Sequence, residues 1–184
     1  MFKIIIIFLS FMISHKISYD EAKTVLLKIK NNVDYPDNEI TSAVITIMED
    51  ALITAKISCD TLIKTYKKPT LLKSNVLAIF FEDDNVVSKL KSDKAFYIEQ
   101  SSLKAMHNIS IVNLDSGDSL YFVNPKKSSI VWDKNYGRIS SDDEFVMLSS
   151  SGCTSGLAFE SDVDLSNIKI FGIKGTNQKN PCNQ

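Results

Sequence analysis

The sequence predicts an α+β protein in which one long amino-terminal helix packs on a mostly antiparallel β-sheet. Three observations carry that expectation. All six glycines (Gly117, Gly137, Gly152, Gly156, Gly172 and Gly175) lie after residue 116. Ahead of them, apolar residues recur at steps of three or four, the spacing of one face of a helix. From Asn75 onward the pattern changes to short runs rich in β-branched and aromatic residues, separated by turn residues. Helix first and strands after is the segregated order of an α+β architecture.

The chain has 184 residues, 44% of them hydrophobic and 23% charged, the composition of a packed globule of about one domain. A disordered tail, a collagen and a multi-span membrane protein are all excluded. Lys and Arg together number 21 against 22 Asp and Glu, and Arg138 is the only arginine. Specific recognition of nucleic acid leans on the planar guanidinium fork, so no nucleic-acid partner is expected.

The chain opens with an export signal. Lys3 precedes the apolar run Ile4, Ile5, Ile6, Ile7, Phe8 and Leu9, followed by Phe11, Met12 and Ile13. A run of about 10 to 12 residues is too short to cross a hydrocarbon core of roughly 30 Å, but it suits a signal peptide. Residues 1–18 are read as a signal peptide or as an uncleaved amino-terminal anchor, because Met12 and Lys16 stand where a cleavage site wants small residues. A membrane contact is expected only in the second case, and only through residues 2–13. The protein is then exported, to the periplasm, the cell surface or the medium. Loss of residues 1–18 would leave 19 basic against 22 acidic residues, a mildly acidic balance that favours neither DNA nor an anionic membrane as partner, and His107 as the only histidine.

Residues 19–184 read as a single domain, helical over 19–68, sheet over 75–175, with a tail at 176–184. Ser18 or Asp20 caps a short helix carrying Ala22, Val25, Leu26 and Ile29, and Asn31 and Asn32 end it. Pro36, Asp37 and Asn38 form a second start signal. Ile40, Val44, Ile47, Ala51, Ala55, Cys59, Leu62 and Tyr66 then fall on one stripe of a helix of about 30 residues. Lys67, Lys68 and Pro69 stop it, with cations at the end the helix dipole favours. The lack of glycine fits, since glycine inside a helix costs about 1 kcal/mol relative to alanine. Candidate strands follow at Asn75 to Phe81, Ala95 to Gln100, Ile109 to Leu114, Leu120 to Val123, Ser129 to Asp133, Phe145 to Ser149, Gly156 to Phe159 and Ile168 to Ile173. Asp115 to Asp118 and Asn135 to Gly137 mark tight reversals between them.

An oxidising compartment makes cysteines candidate disulfides. Cys153 and Cys182, both in the carboxy-terminal region, are paired on this reading, and the bridge would pin the polar tail at about 3 to 4 kcal/mol by loop entropy. Cys59, on the apolar stripe, reads as an inert core thiol. With three cysteines, two of them paired on this reading, and one retained histidine, a structural zinc site would need acidic ligands as well, and no metal or cofactor is expected. The acidic clusters Glu82, Asp83, Asp84; Asp142, Asp143, Glu144; and Glu160, Asp162, Asp164 read as solvated loops or strand faces, although alternation in the last suits a hard cation such as calcium. Asn108, Ile109 and Ser110 form a glycosylation sequon. His107 has no partner at a fixed spacing.

The stretch from Ser129 to Gly175 resembles the carboxy-terminal sheet of minor type IV pilins and type II secretion pseudopilins. The matching residues are Ile130 to Asp133, then Gly137, Arg138 and Ile139, a strand at Phe145 to Leu148, and Ile168 to Gly172; the prepilin processing motif is not among them. The resemblance implies a pilus or secretion-apparatus component with other proteins as partners. Trp132, Tyr136 and Arg138 cluster at one turn and are the candidate binding residues, being residue types enriched at interface hot spots. The sequence thus points to an exported, non-enzymatic structural or protein-binding module. Two alternatives are a small secreted or periplasmic hydrolase using His107 with a Ser and an Asp, and a secreted host-interaction factor.

Overall fold

The computed structural model describes residues 36–99 and 101–174. The expected signal peptide or anchor, the first short helix and the tail at 176–184 lie outside them.

The described residues are all-β and contain no helix. Thirteen strands follow in order: β1 (Asn38–Glu49), β2 (Leu52–Lys64), β3 (Thr70–Glu82), β4 (Asn85–Ile98), β5 (Ser102–Met106), β6 (Ser110–Asn113), β7 (Ser119–Phe122), β8 (Ser129–Asp133), β9 (Arg138–Ser141), β10 (Phe145–Ser149), β11 (Gly152–Gly156), β12 (Ala158–Asp162) and β13 (Lys169–Phe171). The α+β expectation is therefore corrected: the segment assigned to the long helix is two long strands, β1 and β2, joined at Asp50 and Ala51.

Two physical reasons explain the difference. Ile, Val and Thr supply 11 of the 27 residues from 38 to 64, and branching at Cβ favours the pleated strand over the helix. The helical stripe also mixes two faces: Ala43 and Ile47 are buried, whereas Ile40 and Val44 are 51% and 65% exposed. Nor does the lack of glycine require a helix. Asp50 and Ala51 (φ 48° and 67°), like Asp83 and Asp84 (φ 47° and 63°) between β3 and β4, are both left-handed, which is the two-residue turn that matches strand twist. Aspartate tolerates this region through its short polar side chain, so two hairpins turn without glycine.

Every pairing is antiparallel. β1, β2, β3 and β4 form a meander, and β4 then forks. Its first half, Ser88 to Lys91, pairs with β6, and its second half, Lys94 to Ile98, pairs with β5. One arm continues β6, β7, β10, β11; the other continues β5, β8, β9, β12, β13. The chain visits the arms alternately, hairpin by hairpin, and Leu157 alone separates β11, the end of the first arm, from β12 of the second. An almost closed, barrel-like sheet results.

The core lies between the arms. Phe80, Leu90, Leu103, Ile111, Leu120, Ile130, Ile139, Phe145 and Phe159 are almost wholly buried. Polar side chains tie the arms across it: the Ser88 hydroxyl donates to the Val163 carbonyl and the Asn113 amide to the Asp164 carbonyl. The Asn113 carbonyl oxygen also accepts from the amides of Asp115 and Ser116, shaping the reversal before β7.

Candidate functional site

The three residues grouped as a binding patch share the β8–β9 hairpin but not one environment. Trp132 is 3% exposed and meets Phe80 edge to face, 5.1 Å between centroids; its buried indole N–H has no acceptor. Arg138 pairs with Glu160 and lies 3.8 Å from Asp162 across the β9–β12 ladder. That guanidinium holds the Glu160 carboxyl below the usual glutamate range. Tyr136 sits exposed in the β8–β9 turn, a turn shaped by the Asn135 amide donating to the Asp133 carboxylate.

Cys153 lies on β11, and Cys182, its expected disulfide partner, lies outside the described residues; Cys59 is a free, buried thiol. Burial pushes the Cys59 thiol up from its ordinary value. His107 sits in the bend after β5 with φ 65°. Its main chain bonds Ser128 and Asp93, and no ring hydrogen bond to a hydroxyl or carboxylate is present among the described residues. Asn108 beside it is exposed, its amide on the Asp93 carboxylate.

The acidic clusters take structural places. Asp83 and Asp84 form the β3–β4 turn, Asp143 accepts from the Ser129 amide, and Glu160 and Asp162 face Arg138. Burial, with the carboxylates of Asp164, Asp162 and Asp83 nearby, pushes the Glu82 carboxyl up. Among the described residues no three His, Cys, Asp or Glu side chains are arranged to hold a metal ion. Several clefts among the described residues are lined by mixed side chains. One, of about 470 Å³, runs past Asp37, Asn38, Tyr66, Thr70 and Tyr97, with Lys64 and Glu99 paired at 2.6 Å beside it. A smaller one, of about 170 Å³, lies against Phe80, Glu82, Trp132 and Val163. Neither sets a nucleophile beside a base.

The feature with chemical consequence is the edge strand β1. Among the described residues it pairs with β2 alone, so one row of its amides and carbonyls points away from the sheet. Its twelve residues contain no Lys, Arg or Pro, and its only charges, Glu39 and Glu49, sit near the ends. Ile40, Val44 and Met48 are each more than half exposed. Edge strands are normally shortened, charged or interrupted, because a long apolar edge templates a further strand. The other edges are blunted: β13 has three residues, and Ser155 of β11 bridges Lys174. The sequence signal for β1 was its β-branched content, Ile40, Thr41, Val44, Ile45, Thr46 and Ile47, masked by a coincident three-and-four spacing. No protein-family model matches the chain, and no curated protein matches it.

Proposed function

We propose that this is an exported, non-enzymatic protein-binding module that joins another protein's β-sheet by strand addition along β1. One observation carries the reading: a twelve-residue edge strand with exposed Ile40, Val44 and Met48, no Lys, Arg or Pro, charges only at Glu39 and Glu49, and one register irregularity at Ile47 and Met48. Main-chain hydrogen bonds to an incoming strand would supply affinity, and the alternate side chains would supply selectivity. The pilin-like reading is not carried forward, because the amino-terminal helix of that layout has no counterpart over residues 38–68. Export rests on the apolar run after Lys3, and the role as an apparatus subunit or surface factor follows from whichever partner presents the strand.

A photo-crosslinker placed at Val44, and separately at Tyr136 as an exposed control, tests this in cells that export the protein. Crosslinked peptides from another chain are expected from Val44 and not from Tyr136. Val44→Lys with Met48→Lys, which add edge charges at exposed positions, should remove them and leave the melting temperature within a few degrees, since exposed substitutions change stability by about 0.5 kcal/mol or less. Products that end within residues 1–35 of the same chain, or none at all, would overturn the proposal.

A further inference from the structure

The outward face of the sheet carries a field of lysines with no ion pairs among the described residues. The ladder places Lys56 of β2, Lys73 of β3, Lys89, Lys91 and Lys94 of β4, and Lys104 of β5 on that face. Lys56 and Lys89 both stand opposite Ile79, and Lys104 stands opposite Phe96. Lys73 stands directly opposite Lys94. Like charges so opposed destabilise a sheet. Yet among the described residues none of the six forms an ion pair. The carboxylates within the field are engaged otherwise, Asp60 by the amide of Asn75 and Asp93 by the amide of Asn108. Aromatic faces serve two of the lysines instead: Lys94 Nζ lies 4.8 Å from the Phe96 ring and Lys56 Nζ 5.5 Å from the Phe81 ring.

We propose that this face docks on an anionic phospholipid bilayer, its lysines taking lipid phosphates while the half-buried apolar side chains between them lie at head-group depth. Charge complementarity gives the first argument, since the cations are concentrated on one face of a chain whose net charge is −1. An unrelieved Lys73–Lys94 opposition is the second, because a phosphate between the two ammonium groups converts a repulsion into two attractions. Residue type is the third. Lysine is a mobile point charge suited to fluid head groups, whereas base or peptide-phosphate recognition favours the arginine fork, and the only arginine, Arg138, is paired elsewhere. Interleaved Leu77, Ile79 and Phe96 match a head-group boundary better than a purely aqueous acidic partner. Under the export reading, the apolar run near the amino terminus brings the chain to a bilayer in the first place. The β1 edge is not consumed by such docking.

Lysine footprinting of the full chain with an amine-reactive ester tests this, read by mass spectrometry on vesicles of phosphatidylcholine alone and of phosphatidylcholine with phosphatidylglycerol. Modification of Lys73, Lys91, Lys94 and Lys104 is expected to slow several-fold only when phosphatidylglycerol is present, and to recover in high salt. Lys126 and Lys127, exposed in the loop after β7, should keep their rates. In the double variant Lys91→Glu with Lys94→Glu, protection of Lys73 and Lys104 should vanish. The part of the affinity that depends on phosphatidylglycerol should fall at least about 20-fold, at about fivefold for each lysine lost. Its melting temperature should stay within a few degrees of the parent's, because Lys94→Glu gives up the Phe96 ring contact but sets a carboxylate opposite Lys73. Unchanged rates on anionic vesicles, equal slowing of Lys126 and Lys127, or full protection in the double variant would overturn the proposal.

Discussion

Phe145 on β10 and Phe159 on β12 meet edge to face, 4.9 Å between ring centroids at an interplanar angle of 60°. This contact joins the two arms where Leu157 alone links β11 to β12, and Gly156 makes room for it. A Cβ on Gly156 would stand 2.5 Å from Ile170 Cγ2 and 2.9 Å from Phe145 Cε1. The approach of the two arms there therefore depends on two large rings and one missing methyl group.

Truncating either ring opens a cavity in a closed interior. Phe145→Ala and Phe159→Ala should each cost about 3 to 5 kcal/mol, and Gly156→Ala about 1 to 3 kcal/mol through overpacking. Urea denaturation measures all three. A Gly156→Ala protein as stable as the parent would mean that Ile170 and Phe145 yield freely.

Ala51 holds a left-handed backbone at φ 67°, a conformation that costs an L-residue with a Cβ about 1 to 2 kcal/mol. Ala51→Gly should therefore stabilise the protein, by up to about 1 kcal/mol after the extra entropy glycine loses on folding. Gly137→Ala, at φ 62° with open space around the added methyl group, should destabilise it for the same reason with the opposite sign. Thermal melting of the pair checks both directions.

How legible each part of the fold was follows from the kind of turn that bounds it. β8 and β10, at Ser129–Asp133 and Phe145–Ser149, coincide with the strands expected from sequence, because polar and glycine-bearing turns frame their short runs. β1 and β2 are framed by a turn of Asp50 and Ala51, which carries no such punctuation, and their apolar residues also fit a helical spacing. The fork in β4 was illegible: pairing of Ser88 to Lys91 with β6 and of Lys94 to Ile98 with β5 is a choice among distant partners. The lysine face needed that register too, since Lys73 and Lys94 are neighbours only across the ladder. Trp132 misled by type, as its large ring serves the core beside Phe80.

Trp132 separates packing from binding. Its indole N–H has no acceptor, so Trp132→Phe loses ring volume but also removes a buried, unsatisfied donor that costs about 1 to 3 kcal/mol. Trp132→Phe should fall within about 1 kcal/mol of the parent, whereas Trp132→Ala should cost about 3 to 5 kcal/mol. A large loss on Trp132→Phe would reveal a hydrogen bond to the indole nitrogen.

Cys59 is 6% exposed on β2, and burial raises its thiol above the ordinary range, so little thiolate is present at neutral pH. Alkylation by iodoacetamide should be slow in the native protein and rise together with unfolding as urea is added. Rapid labelling of Cys59 in the absence of urea would require a local opening at the β2–β3 ladder.

Acid should act on two glutamates with opposite sign. The Glu160 carboxyl is held low chiefly by its hydrogen bond to Arg138, so its contribution is present above the unfolded-state value and is lost as pH falls through the folded one. Glu82 is pushed up, first by burial and then by the carboxylates of Asp164 and Asp162. Its protonated form favours the fold, and that contribution is lost as pH rises through its folded value. Glu160→Gln should therefore weaken the protein at neutral pH and flatten its loss of stability in acid. Glu82→Gln should strengthen it at neutral pH and change little once acid has protonated the parent. Melting temperatures of the two variants across the carboxylate range give curves that diverge from the parent in opposite directions at neutral pH and converge on it in acid; parallel curves would mean that neither carboxyl is coupled to folding.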